Sequence, residues 1–213
     1  EYGDKVRIFN GWNLIGALSV PTAASNISFV NRTENAPADI VEGMRQYVKK
    51  YDYYAYEPDK GYYPVNNLLP GLGYFIKVGY KNDDPANKTV ANNIEAYLKI
   101  TPNTAKAFAN DNSDKYSVLN NSTEIKISDN AQKSTSVYLT NDTELEVANF
   151  EMPPVFGDYC FDARFNNNTK ISKNEKSMLQ LNAVDYPISL TAKNADSDLF
   201  FYDAMTNELL GVI

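Results

Sequence analysis

The sequence predicts an all-β chain: two β-sandwich or barrel-like domains, with one short helix in the first. Three observations predict it. The stretch Tyr47 to Val78 carries half of the sixteen tyrosines and alternates with strong turn signals. The C-terminal half is a series of short alternating runs at regular spacing, the pattern of a sandwich. The one stretch with helical spacing, after Asn35, supports only two or three turns. Domain boundaries are expected at 1–104 and 105–213.

Taken in order, Lys5–Phe9 alternates and leads through Asn10-Gly11 into a second strand, Trp12–Gly16; Asn-Gly is the strongest short hairpin signal. Val20 to Glu34 is loop-like. Asn35 can cap the short helix, with Pro37 in its first turn and Asp39 favourable to its dipole. Ile40, Val41 and Met44 give that helix one apolar face, and Gly43 limits its length. Tyr51–Tyr56 and Tyr62–Val65 are aromatic, β-prone runs around Pro58-Asp59-Lys60-Gly61. There Pro58 presets φ, Asp59 bonds local backbone and Gly61 supplies a positive φ. Gly73–Val78 follows Pro70-Gly71 as a third strand. Lys81–Lys88 is polar and loop- or hinge-like, Ile94–Ile100 a strand, and Thr101–Lys115 the best boundary. Seven further strands are expected: Glu124–Ile127, Ser136–Thr140, Glu144–Asn149, Ser177–Leu181, Ile188–Ala192, Leu199–Tyr202 and Leu209–Ile213. Between them, Met152-Pro153-Pro154 reads as an edge or crossover segment.

Composition narrows the function. No run approaches the roughly 18 apolar residues of a membrane span. The start, EYGDKVRIF, lacks a signal peptide's pattern and suits a mature chain from which a signal has been removed. A net charge of −7 and a pI near 4.7 argue against nucleic acid, which needs clustered Lys and Arg. The chain has no histidine, which removes the usual general base and the commonest metal ligand. Its single cysteine, Cys160, excludes an internal disulfide and a multi-thiolate site. The run Asn110 to Asp114 lacks the glycine and distal glutamate of a calcium loop. No catalytic residue, cofactor or metal is therefore expected.

Asn-x-Ser/Thr acceptors occur at Asn26, Asn31, Asn87, Asn120, Asn121, Asn141 and Asn167, in segments read as loops. They fit an extracellular, glycosylated protein, though polar turns rich in Asn, Ser and Thr would produce the same pattern. Asp158, Asp162 and Glu151 are close in sequence, and Asp162 with Arg164 on one strand face reads as a structural ion pair. Trp12 reads as a core anchor and Cys160 as a buried thiol. Tyr51 and Tyr53 share one face of their strand with Ala55, and Tyr54 and Tyr56 share the other. With Tyr62 and Tyr63 these residues form the candidate interface or glycan-binding set, because a second aromatic face calls for a domain, subunit or ligand to cover it; simple core packing is the other reading.

Two segments also resemble known families. Gly11-Trp12-Asn13-Leu14-Ile15 and Pro70-Gly71 with Gly73-Tyr74-Phe75-Ile76 look like a small β module recurring in prokaryotic cell-surface and secreted proteins. The resemblance covers about the first 80 residues and implies that the two strands pair. Pro153-Pro154 followed by Phe161-Asp162-Ala163-Arg164-Phe165 resembles the tail region of large secreted bacterial proteins, including type IX-secreted ones. Val155-Phe156-Gly157 stands where that pattern has a second proline pair, and the acceptor asparagines suit an archaeal surface protein equally. The function expected is a non-catalytic extracellular structural protein, a subunit of a filament, sheath or surface layer. Its partners would be copies of itself or other surface proteins. Alternatives are a carbohydrate-binding module using the tyrosine hairpin, or the accessory tail of a secreted hydrolase. Strand addition between subunits is a further hypothesis, motivated by the many short strands and the apolar termini Val6–Phe9 and Leu209–Ile213.

Overall fold

A computed structural model describes residues 4–9, 11–17, 19–31, 53–78, 96–100 and 117–213. Among these the chain is mostly β-strand, in several separate sheets with no closed barrel, and no helix reaches seven residues. The barrel-like alternative is thereby corrected. The expected helix after Asn35, the 81–88 loop, the 101–115 boundary and the acidic run 110–114 lie outside the described residues. The chain groups into two compact units, residues 1–55 with 63–113 and residues 56–62 with 114–213. The tip of the tyrosine hairpin, expected within the first domain, thus groups with the second unit.

The first unit holds two main sheets. Strands β1 (Asp4–Ile8), β9 (Ala96–Ile100) and β4 (Ile27–Asn31) form one, with β9 central. The register Val6↔Leu98 and Ile27↔Ile100 sets alternate apolar residues on one side. Strands β2 (Gly11–Gly16), β8 (Gly73–Val78), β5 (Tyr53–Glu57) and β6 (Gly61–Val65) form the other, in that order. Pro64 fits β6 because β6 is the edge strand, where a missing N–H costs no ladder bond. Ile15, Tyr74, Ile76, Val78, Tyr53 and Ala55 meet Ile8, Leu98, Ile100 and Ile27 in one apolar cluster, joined by Leu68. Leu68 lies on β7 (Asn67–Leu68), which pairs β3 (Thr22–Ala23).

Two expectations fail in this unit. Asn10-Gly11 does not turn a hairpin, since β1 pairs β9 while β2 pairs β8. The reason lies in Asn13, whose amide bonds both backbone groups of Phe9, accepting at 2.7 Å and donating at 2.7 Å. One side chain imitates a strand neighbour, and with Gly11 at φ +99° the chain turns a corner into another sheet. The loop-like stretch 20–34 also contains β3 and β4. There Ile27 and Phe29 alternate in phase with Leu98 and Ile100, a period-2 signal masked by the polar residues around it.

In the second unit β10 (Thr123–Ser128) lies between β11 (Ser134–Leu139) and β15 (Ser189–Lys193), with β13 (Ile171–Ser172) parallel to β11. Strand β12 (Asp162–Phe165) pairs β14 (Leu179–Asn182), and β16 (Phe200–Tyr202) pairs β17 (Leu209–Val212). All three sheets feed one cluster: Ile125, Ile127, Val137, Ala163 and Phe165, flanked by Leu181, Leu190 and Phe201. The expected strand Glu144–Asn149 is instead a 3-10 turn at Val147–Phe150. Its Leu145 and Val147 alternate like a strand, but with Phe150 they pack as a small satellite core on Leu119 and Ile171. Asp142 breaks the extended path by accepting the Glu144 N–H at 2.9 Å.

Candidate functional site

The turn at the hairpin tip forms as its residues dictate. The Lys60 N–H bonds Glu57 O at 3.1 Å, and Gly61 takes φ +73°. A Cβ at residue 61 would sit 3.0 Å from Phe161 O, so glycine also permits a close backbone approach within the second unit. Beside that turn, Tyr56 and Tyr62 pack edge to face with centroids 5.2 Å apart. The Tyr62 hydroxyl donates to Pro154 O at 2.9 Å. Burial, with the Cys160 sulfur next in effect, pushes both phenols up to about 12, so neither titrates near neutral pH.

Behind this pair lies a polar centre on β12 and the approach to β13. Asp162 and Arg164 project from one face of β12, and Arg164 Nε donates to Asp162 Oδ2 at 2.5 Å with both side chains buried. Arg164 Nη1 donates to Pro153 O at 2.6 Å and to Asn168 Oδ1 at 2.9 Å, while Nη2 is buried with no partner. Lys170 is buried alongside, and its Nζ donates to Thr135 Oγ1 at 2.8 Å. Burial pushes that amine down to about 8; Asp162 pulls it back up and Arg164 opposes.

These interior groups hold the loop from Pro153 to Cys160 by its carbonyls. Arg164 takes Pro153 O, Tyr62 takes Pro154 O, and the Cys160 thiol donates to Phe156 O at 2.7 Å. Asn182 Nδ2 reaches Gly157 O at 3.2 Å and Cys160 O at 2.7 Å. The backbone is fixed inward while the apolar side chains go outward: Val155, Phe156 and Tyr159 are exposed, Tyr159 by 75%. The β16–β17 hairpin is likewise apolar on its outside, with Phe200, Tyr202, Leu209, Leu210 and Val212 exposed and Met205 exposed by 94%.

The tyrosine set is distributed differently from the expectation. Tyr53, Tyr54 and Tyr62 are interior, Tyr56 and Tyr63 half-buried, and Tyr51 lies outside the described residues. Tyr53 and Ala55 join the first unit's core, and Tyr54 packs against Trp12 at 5.9 Å on the opposite face. An interior ring cannot stack on a sugar, so of the candidate interface or glycan-binding set Tyr53, Tyr54 and Tyr62 take the core-packing reading. Trp12 is half-buried with Lys77 Nζ 6.0 Å from its ring centroid, and Cys160 is a buried free thiol.

Of the acceptor asparagines, Asn120, Asn121, Asn141 and Asn167 are exposed, and Asn26 ends a 3-10 turn half-buried. Asn31 ends β4, a strand where a loop was expected, and Asn87 lies outside the described residues. Asp162 is committed to Arg164 and Asp158 is exposed, so these carboxylates have unlike environments. Among the described residues no group of three or more His, Cys, Asp or Glu is placed to hold a metal, and no helix is long and apolar enough to cross a membrane. Sequence reasoning missed Lys170 and Asn182, whose polar side chains are buried or bonded inward only through the tertiary fold. Asn13 stood inside a recognised pattern without its role being readable. No known family, curated protein or solved structure matches the chain.

Proposed function

We propose that this chain is a non-catalytic extracellular structural protein, a subunit or module of a surface assembly held by protein–protein contacts. One observation carries the reading: the second unit spends buried polar side chains on fixing the Pro153–Cys160 loop while leaving Phe156 and Tyr159 in solvent. Prepaid backbone ordering beneath exposed aromatic side chains is the arrangement that makes association favourable. The outer residues of β16 and β17 add apolar surface of the kind that marks interaction sites. The missing histidine and the commitment of Asp162 to Arg164 leave the loop without an evident acid–base pair.

Sedimentation velocity of the full chain over a hundredfold concentration range tests the proposal, with electron micrographs of the most concentrated sample. Concentration-dependent oligomers or fibres are expected, reduced in Phe156→Asp and Tyr159→Asp. A monomer throughout, or association indifferent to both substitutions, refutes it.

A further inference from the structure

Lys170 is a buried charged group that the proposed function does not use. An ammonium carries three donors, yet the Lys170 Nζ has a single acceptor, Thr135 Oγ1, and the side chain is almost wholly out of water. Its surroundings do not supply the missing compensation. Asp162 is the one carboxylate of the centre and already receives the Arg164 Nε–H. Arg164 contributes a second cation and keeps a buried Nη2 without a partner. With Lys170 protonated, the centre holds two cations against one anion; with Lys170 neutral, the charges cancel.

We propose that Lys170 makes the second unit pH-responsive, its protonation loosening the polar centre through which Arg164 holds the Pro153–Cys160 loop. Asp162 and Arg164 of β12 act on Lys170 electrostatically, and from β11 it meets the Thr135 hydroxyl. Tyr138 of β11, whose backbone N–H bonds Lys170 O, has its phenol pushed up by burial. The 3-10 turn Val147–Phe150 carries no ionisable side chain. Tyr56 and Tyr62, on the Asp162 side together with the Cys160 thiol, are both raised to about 12.

The sign follows from the direction of the shift. Burial lowers the folded amine from 10.5 to about 8. Below pH 8 both folded and unfolded chains carry the charge, and folding bears its whole burial cost. Between about 8 and 10.5 the unfolded chain binds one more proton, so stability rises with pH. Above 10.5 both forms are neutral and the cost is gone. This inference stands apart from the assembly reading, because it concerns the loop's attachment and needs no partner.

The test uses the full chain and Lys170→Met. The denaturant midpoint of the parent should climb between pH 8 and 10.5 with close to one proton taken up on unfolding, and Lys170→Met should lack that uptake. Chymotrypsin should cut after Phe156 faster in the parent than in Lys170→Met at pH 7, with the difference gone by pH 9.5. Should Lys170→Met fail to fold, side-chain NMR of the parent decides alone: one lysine should titrate near pH 8 in the folded protein. Equal pH slopes in the two proteins, or every folded-state lysine titrating above pH 9.5, would overturn the proposal.

Discussion

Removing the carboxylate of Asp162 is the sharpest probe of the polar centre. Asp162→Ala leaves the Arg164 guanidinium buried beside Lys170 with no counter-charge, since both members of the pair are only about 2% exposed. Breaking a buried pair by deleting one partner costs about 3–5 kcal/mol. For a unit of roughly a hundred residues, that is on the order of 15–30 °C in melting temperature. Adding Arg164→Met should recover about 2 kcal/mol, because replacing a whole buried pair with apolar groups is far cheaper than stranding one charge. Recovery is incomplete because Pro153 O and Asn168 Oδ1 lose their donor. Guanidinium unfolding of the parent, both single variants and the double variant, followed by far-UV circular dichroism, gives the coupling energy. Additive losses, with the double variant less stable than Asp162→Ala, would refute the account of the centre as a charge-balanced cluster.

Three further outcomes follow from the same reasoning. Asn13→Ala should destabilise the first unit by about 2 kcal/mol, from two lost hydrogen bonds to Phe9. Trp12, the chain's only tryptophan, reports this by its fluorescence transition; no shift in midpoint would mean the corner is held otherwise. Gly61→Ala should cost about 1–2 kcal/mol from its positive φ, with more from crowding Phe161 O, read by thermal unfolding. An unchanged melting temperature would mean the turn relaxes freely. Ile127→Ala, fully buried in the second unit's core, should cost about 2–5 kcal/mol by chemical denaturation, and less than 1 kcal/mol would contradict its place there.

Much of the strand inventory was legible because its cause is local. Gly73–Val78 alternates apolar residues at period 2, and Pro58-Asp59-Lys60-Gly61 contains every element a turn requires. The Asp162–Arg164 pair could be read from two residues on one face of a strand. The 3-10 turn at Val147–Phe150 defeated the same logic, because alternation is needed for a strand but does not supply a neighbour to pair with. Asn10-Gly11 failed in a similar way: the dipeptide permits a tight turn, and Asn13 decided that the turn would change sheets.

What the residues alone determined is the chemistry open to this chain, no imidazole and one thiol, together with the strand-rich pattern of its described residues. Only the tertiary structure decided which tyrosines are interior, that Lys170 is buried beside Arg164, and that Asp162 belongs to a buried centre. Periodicity records which side of a strand a residue occupies. Burial depends on what packs against that side, and for Tyr62 and Lys170 the bonded partners lie far away along the chain.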